Sequence, residues 1–402
     1  MRLIHLTPEL PCWPGGSGGA TRQFHLLRRL VELGHEVTVV APVAAGQQAR
    51  RAELAAAGIR LEGPDRPPSR AKETLRALAG EPSLAPRAAD LPVFAWQVSV
   101  LWVALRPHAR RALEAAADVV TVEHDHAAQW VAALPAGLPR ALVLQNVGPS
   151  YYGSRARAAA GAPRALLRAE AFRFARHDAR WLERYDRLIA VSDNDAADLR
   201  GRTAVPVEVV PNGVASDELT PLPPSSEPAT LLFTGTLGHP PNAEGIRWFA
   251  AHAWPLIRSR RPDAELLIVG RDPPPEVSGL DGRDGIEVVG SVPSMAPYFE
   301  RATAVVVPLL SGGGTRLKIL EAFACARAVV STGVGREGLD ASDGAELLVA
   351  DGAEAFATAT LRLLEDPSLR ERLAAAGREL AERRYDWRVL GDRLEQTLAA
   401  LA

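Results

Sequence analysis

Eleven residues, Ser311–Glu321 (SGGGTRLKILE), hold the densest chemistry in the 402-residue chain. Gly312, Gly313 and Gly314 follow an apolar run that ends at Pro308, and a helix is expected over Thr315–Ala326. Free N–H groups and the dipole at a helix start favour an anion. Arg316 and Lys318 add two cations at the same end, and a guanidinium grips phosphate bidentately. Glu321 falls one turn into the helix, where its carboxylate can accept two ribose hydroxyls. The competing reading is an ordinary surface pair of Lys318 with Glu321 at i,i+3 spacing. Triple glycine, two cations and an acid at the end of a strand favour a diphosphate and ribose site.

A second glycine run, Gly15-Gly16-Ser17-Gly18-Gly19, lies between the first expected strand and its helix. Such a turn admits close backbone approach and leaves N–H groups for an anion. It is not the dinucleotide fingerprint. The third glycine position holds Thr21, and the second strand ends Val40-Ala41-Pro42 with no acid for a ribose. It reads as a phosphate loop of another kind, or as a surface turn. A third cluster, Thr121-Val122-Glu123-His124-Asp125-His126, ends another strand. Its titratable side chains suit acid/base work or a solvated loop. A metal site would call for more donors at helical or hairpin spacing, so no metal ligands are expected. Gln145-Asn146-Val147 follows the next strand as an acceptor contact or a plain turn.

The elements that must position these residues alternate strand and helix. Leu3–Thr7 is a strand, and Ala20–Leu33 carries Phe24, Leu27, Leu30 and Val31 at helical spacing. Glu36–Ala41, Val119–Glu123, Ala141–Leu144, Arg187–Val191 and Val207–Val210 are further strands. The pattern resets near Pro211, and Pro221–Pro228 (PLPPSSEP) reads as a linker. A second series follows: strand Thr230–Thr234, helix Ala243–Ser259, strands Glu265–Val269, Ile286–Val289 and Ala304–Pro308, then the glycine turn and its helix. Strands Ala328–Ser331 and Glu346–Val349 and helix Ala353–Glu365 complete it. This βαβ alternation predicts two doubly wound parallel sheets, with ligands outside the carboxyl ends of their strands.

Composition bounds the rest. The hydrophobic fraction of 47% suffices for two cores, and the net charge of −2 gives no field for nucleic acid. Cys12 and Cys325 form no C-x-x-C motif and no disulfide framework, which fits a reducing cytoplasm. MRLIHLTPEL reads as a strand rather than a signal peptide. Leu91–Leu105 is uncharged but shorter than the roughly 20 residues of a membrane span. It is expected either as a buried helix or as a face that touches a membrane or a lipid-linked acceptor.

The run GGGTRLKILEAFACARAVVSTGVGREGL resembles the family 4 glycosyltransferases, retaining enzymes of GT-B fold, and within them a bacterial surface-polysaccharide branch. Arg22 after the first glycine loop, ELGHEVTVVAP, DRLIAVSDNDAADL, VEVVPNGV, LLFTGTLGHPPNAEGIRWF, LLIVGRDPPP and the terminal RRYDW agree with it, in order, along almost the full chain. The resemblance is weakest over Glu62–Ala117, where acceptor-facing segments vary. It implies an α/β GT-B architecture of two Rossmann-like, doubly wound domains facing across a cleft. The expected acceptor domain is 1–210, the nucleotide-sugar domain 211–386, and 387–402 a helix packing back toward the first domain.

In the family motif Glu-x7-Glu the second Glu falls on Glu321, but the first falls on Gly313, so one carboxylate is absent. An Arg and a Lys usual after the first strand of the second domain are also absent; Gly235–Asn242 stand there. Arg316 and Lys318 are then expected to carry the phosphate charge. The expected donor set is Gly18, Gly19, Gly235, Thr236, Arg271, Val292, Gly313, Gly314, Thr315, Leu317 and Glu321. Alignment of the preceding Asp-Val-Val places Glu123 at the strand-end position that approaches the donor sugar, with His124 one later. The catalytic expectation is Glu123, His124, Arg316 and Lys318; His126, Gln145 and Asn146 are the expected acceptor contacts. Glu337, Gly338 and Leu339 match a family loop that is structural or donor-lining, and Asn212-Gly213 a hinge.

The implied reaction moves a sugar from a nucleotide diphosphate sugar, a co-substrate, to a hydroxyl, with retention and without a cofactor. The acceptor is a glycan, a lipid-linked or a small molecule, and nucleic acid is not a partner. The setting is the cytoplasm, with the inner face of the membrane as an option. The rivals are a sugar-nucleotide epimerase of the same fold and a non-catalytic nucleotide-sugar-binding protein.

Overall fold

The computed structural model describes residues 1–44, 46–64, 93–223, 225, 229–312 and 315–402. Gly313 and Gly314 therefore lie outside the described residues, as do 91–92 of the apolar run and 224 and 226–228 of the expected linker.

The chain divides into two compact units, Met1–Pro211 with Leu390–Ala402, and Asn212–Val389. The first holds a seven-stranded sheet: β1 (Arg2–Leu6), β2 (Glu36–Val40), β3 (Arg60–Glu62), β4 (Val119–Glu123), β5 (Arg140–Leu144), β6 (Arg187–Ala190) and β7 (Val207–Val209). Its order is β3-β2-β1-β4-β5-β6-β7, and every pairing is parallel. The three-residue edge strand β3 has no clear periodicity and was not expected from the sequence. The second unit holds β8 (Thr230–Thr234), β9 (Glu265–Val269), β10 (Ile286–Gly290), β11 (Ala304–Val307), β12 (Val329–Ser331) and β13 (Leu348–Val349). Its order is β10-β9-β8-β11-β12-β13, again all parallel.

Parallel sheets are covered on both faces, which is why β4 (VVTVE) and β8 (TLLFT) are buried at every residue. Each sheet reverses its winding at one point, between β1 and β4 in the first and between β8 and β11 in the second. Crevices at such switch points are where open α/β sheets hold ligands.

The apolar run resolves as part of a helix, Val93–Glu114. Val98, Trp102, Leu105, Ala109 and Ala112 recur at steps of four and three residues and are buried. Trp102 stacks on Trp130 with centroids 4.8 Å apart. At these positions the run is core, as the buried-helix reading expects. Among the described residues no helix is long and apolar enough to cross a membrane.

The single helix expected over Ala243–Ser259 begins earlier, at Pro240, and is interrupted by a π turn at Phe249–Ala253. Pro255, which lacks an N–H, sits in the first turn of the following segment, Trp254–Arg260. The helix Trp387–Ala399 buries Leu390, Leu394 and Leu398. Its Asp392 takes a hydrogen bond from Arg29 at 2.8 Å.

Candidate functional site

In the second unit the carboxyl ends of β8 and β11 lead into the expected donor residues. The helix after the glycine turn is Leu317–Ala324, which starts two residues later than expected, and its cap residue Arg316 stands extended at φ −89°, ψ 97°. Lys318 is buried, 8% exposed. Its ammonium donates to Asn242 Oδ1 at 2.8 Å and stands 4.1 Å from the centre of the Phe233 ring. The surface pair with Glu321 is thereby set aside, because the amine is committed on the other side. Burial, then the charge of Arg316, push the Lys318 amine down to about 7, against a smaller upward pull from Glu321.

Asn242 also donates to the carbonyl of Thr236 at 2.8 Å, and Arg271 Nε donates to Thr236 Oγ1 at 3.3 Å. Gly235 has φ +145°, and a Cβ there would stand 2.9 Å from Lys318 Nζ. Glycine is thus required twice at this position, by backbone conformation and by the cation in front of it. Arg316 donates to the carbonyl of Val334 at 3.3 Å and lies against Gly312. Thr315 accepts from Asn212 Nδ2 through its carbonyl at 3.4 Å, and Ser311 donates to Glu244 Oε2 at 3.2 Å. Glu321 is half-buried, and burial raises its carboxyl against the charge of Lys318. Leu317 is half-buried at the helix start, while Val292 packs its side chain on the core.

Gly235, Thr236, Arg271 and Lys318 thus form one bonded cluster, with Arg316 at its glycine turn. Asn242 was not singled out by sequence reasoning, yet it is the link among them. The available signal was an amide next to the His-Pro-Pro turn, in the stretch where a basic pair is absent.

In the first unit the carboxyl ends of β1 and β4 meet the first glycine run. The helix is Gly18–Glu32, and Ser17 caps it by accepting from Ala20 N at 2.9 Å. Ser17 Oγ donates to Glu9 Oε2 at 2.7 Å. Glu9 Oε1 takes Gln23 Nε2 at 3.1 Å and pairs with His124 Nε2 at 3.1 Å. A Cβ on Gly19 would stand 2.4 Å from both Glu9 Oε1 and Gln145 Oε1. The anion at this helix start is the chain's own Glu9, and a phosphate would meet a carboxylate there.

Glu123 lies in the interior at the end of β4. It is 2% exposed and sits behind Gln145, whose Nε2 donates to its Oε1 at 2.7 Å. His5 approaches it at 3.8 Å, and the buried Arg22 feels its charge. The groups turned outward are His124, Glu9 and His126. His124 has φ +74°, a strained backbone for a residue with a side chain, and its ring stacks on His126 at 4.7 Å. Burial pushes the His124 imidazolium down. The hydrogen bond and charge of Glu9, with Glu123 and Asp125 behind, outweigh it and leave its pKa raised. Burial raises Glu9 in turn, but His124 and Ser17 hold it below its usual range. His126 faces Asp125, which also accepts from Gly148 N at 2.9 Å. Asn146 is exposed and Gln145 half-buried. Glu9 is the residue that sequence reasoning missed; its signal was an acid between strand and glycine run, in Thr7-Pro8-Glu9.

Arg22 is 1% exposed, and its guanidinium donates to the carbonyls of Val210 and Pro211 at 2.7 and 2.5 Å. It ties the glycine-run helix to the end of the first unit.

Comparisons with known proteins agree with this architecture. The model of "Glycosyltransferase Family 4" matches residues 16–218, and that of "Glycosyl transferases group 1" matches 228–366. A phosphatidyl-myo-inositol mannosyltransferase of Mycobacterium leprae is 30% identical over 235 residues, 55% of this chain and 61% of its own. An uncharacterized 44.6 kDa protein in the cps region of Klebsiella pneumoniae is 27% identical over 166 residues, 39% of this chain and 42% of its own. The chain spans about half the length of the curated relatives it matches.

Among solved structures, a sucrose-phosphate synthase from Thermosynechococcus elongatus superposes with a TM-score of 0.71 at 19% identity, covering 100% of this chain and 99% of that one. HepE from Anabaena, in complex with UDP-glucose, gives 0.66 at 14%, covering 99% and 100%. At these identities the likeness is one of fold, and the fold is α/β GT-B. Because the first family model spans just over half of its length, the chain belongs to Glycosyltransferase Family 4.

Proposed function

We propose that this protein moves a sugar from a nucleotide diphosphate sugar to a hydroxyl of an acceptor, with retention at the anomeric carbon, in the synthesis of a surface glycan or another glycoconjugate. The observation that carries the reading is the buried ammonium of Lys318, held by Asn242 and Phe233, with Arg316 lying against Gly312. A cation buried at that cost is matched by an anion that arrives. In this reading Lys318, Arg316 and the turn's N–H groups hold the diphosphate, and Glu321 holds the ribose.

The glycosidic bond to the departing diphosphate breaks while the acceptor oxygen bonds to the same face of the anomeric carbon. The acceptor proton passes to the departing diphosphate. Fixed cations and dipoles stabilise the charge that develops there, so we propose that no metal cofactor is needed. His124, backed by Glu9, orients the acceptor hydroxyl, with His126, Gln145 and Asn146 around it. Glycan, lipid-linked and small-molecule acceptors all suit this chemistry. We place the protein in the cytoplasm, at the inner face of the membrane when the acceptor is lipid-linked.

Relatives named for phosphatidyl-myo-inositol and a GDP-mannose-dependent enzyme of Corynebacterium glutamicum make GDP-sugars the first donors to try, and the HepE complex adds UDP-glucose. The test is a thermal-shift series with GDP- and UDP-sugars, with and without EDTA. At a hundred times its dissociation constant a donor adds about 2.7 kcal/mol. The expected result is a clear shift with one base series that survives EDTA and is lost in Arg316→Ala/Lys318→Ala. A flat response to every donor, or a shift indifferent to those two changes, overturns the reading.

A further inference from the structure

A histidine in the middle of a buried strand needs partners, and His5 of β1 has two. The parallel register sets it beside Thr121 of β4, and the pair is 3% and 2% exposed. His5 Nδ1 and Thr121 Oγ1 are 2.8 Å apart, and His5 Nε2 and Gln23 Oε1 are 3.0 Å apart. Gln23 is buried on the helix Gly18–Glu32, and its Nε2 donates to Glu9 Oε1 at 3.1 Å. The same oxygen of Glu9 holds His124 Nε2, and its other oxygen takes Ser17.

The direction of every bond follows from the charge at one end. An ionised carboxylate only accepts, so Gln23 turns its NH2 toward Glu9 and its oxygen toward His5. That oxygen also only accepts, so His5 carries its proton on Nε2. Burial pushes the His5 imidazolium down, against smaller upward pulls from Glu123 and Gln23. The ring is therefore neutral with a bare Nδ1, and Thr121 donates its hydroxyl to it. The rival acceptor for the His5 proton is Glu123. Its Oε2 stands 3.8 Å away, beyond hydrogen-bond reach, and Gln145 holds its other oxygen. His5, Gln23 and Thr121 border a space of about 20 Å³. That is room for one water and for no substrate, so His5 acts through its neighbours.

We propose that His5 is a positioning residue for glycosyl transfer: it holds the amide of Gln23 in one orientation, which fixes Glu9, which fixes the ring of His124. Without the His5 N–H the amide can turn over and set its oxygen against the carboxylate, driving Glu9 away from His124. With it, the Nε2–H of His124 stays on Glu9, and Nδ1 is the ring atom left for an acceptor hydroxyl. The effect on turnover rests on the proposed function, in which His124 orients that hydroxyl; the chain of bonds needs no substrate.

The experiment is long-range proton–nitrogen magnetic resonance on the full chain, labelled at its histidine nitrogens, without donor or acceptor. His5, identified by its loss in His5→Gln, is expected as the neutral Nε2–H tautomer from pH 6 to 8. His124 is expected to titrate above 6.5. In His5→Phe, in Gln23→Met and in the two combined, that midpoint falls back toward 6.5 by the same amount, because all three cut one chain. His5→Gln, whose amide offers an N–H at similar reach, restores it. Hydrolysis of the GDP- or UDP-sugar that gives the largest thermal shift supplies the second readout. There His5→Phe lowers kcat about tenfold at unchanged KM, and His5→Gln recovers it. An Nδ1–H tautomer, a His5 that titrates near 6.5, or a His124 midpoint indifferent to His5→Phe and Gln23→Met overturns the proposal. So does a His5→Phe that lowers the thermal midpoint but leaves the His124 midpoint and kcat alone, which would make His5 a packing residue only. Flat thermal shifts with every sugar, beside the expected resonances, would instead remove the proposed function and leave the His5–Gln23–Glu9–His124 chain in place.

Discussion

The two glycine turns follow strands that border the point where each sheet reverses its winding, β1 in the first and β11 in the second, yet they are opposite in charge. At the first, Glu9 lies against Gly19 and is tied to the cap residue Ser17. At the second, the flanking groups are Arg316 and Lys318. A helix start favours negative charge in both cases. The first unit supplies that charge from its own chain, and the second gathers two cations, as the proposed diphosphate site requires. Glycine content alone therefore does not identify a phosphate site; the sign of what surrounds it does.

The comparison is broken or sharpened most sharply at Lys318. Lys318→Met is expected to lower turnover by about 100- to 1000-fold, the scale for losing one group that stabilises a leaving anion. The donor-free variant should be as stable as the wild type or more so, because a buried cation has been replaced by an apolar side chain. Turnover assays and thermal midpoints together decide it; a destabilised variant that retains turnover would give Lys318 a purely structural place.

Glu9→Gln is the mirror experiment, with an expected fall in turnover of about tenfold to 100-fold. Donor-induced thermal shifts should stay unchanged. If Glu9→Gln instead tightened diphosphate binding at the first turn, both turns would be phosphate sites and the contrast would vanish.

The contrast also has a pH signature. The Lys318 amine sits near 7 in the donor-free protein and at 10.5 when exposed. Between these values the unfolded chain holds more protons, so this group makes the fold more stable as pH rises from 7 toward 10.5. A bound diphosphate restores the charge, so donor affinity weakens over the same rise and binding takes up a proton. Calorimetry at pH 8 in two buffers of different ionisation enthalpy measures that uptake, which Lys318→Met abolishes.

The smallest effect belongs to Glu9 and His124. Glu9 is held below its usual 4.5 and His124 above its usual 6.5. The depressed carboxyl contributes stability that is present above 4.5 and lost as pH falls through its lowered value. The raised imidazole contributes stability that is present below 6.5 and lost as pH rises through its raised value. Their joint contribution is largest between those two pH values, at less than about 1 kcal/mol for a partly exposed pair. Midpoints of wild type and Glu9→Gln compared from pH 4 to 8 should diverge there and converge at both ends.

The sheets were legible because βαβ alternation and buried Val, Ile and Leu runs are local patterns. Strands such as Glu265–Val269 and the helix Ala353–Glu365 appear with the expected bounds. The π turn before Pro255 was not legible, because the apolar spacing continues through it. At the sites, residue types were legible and their partners were not. Lys318 reads as a phosphate cation with a surface i,i+3 pair as the alternative, and nothing local announces that Asn242, 76 residues earlier, takes its ammonium. Glu123 reads as the polar group at the strand end, and its burial behind Gln145 is not visible in the sequence. The distinction between a carboxylate that acts and one that orients lies in burial, which strand-end position does not encode.

The segment Leu390–Ala402 belongs with the first unit although the second lies between them in sequence. During synthesis, then, the first sheet leaves the ribosome before the residues that seat Leu394 and Leu398 beside Leu3, Leu26 and Leu27 exist. Domains made early usually finish early. Here the early one waits, with an apolar groove open, until the residues that follow the second unit have been made. A stop introduced anywhere after the second unit would therefore strike hardest at the opposite end of the polypeptide, and an unfinished chain would expose a site for chaperones on its oldest part.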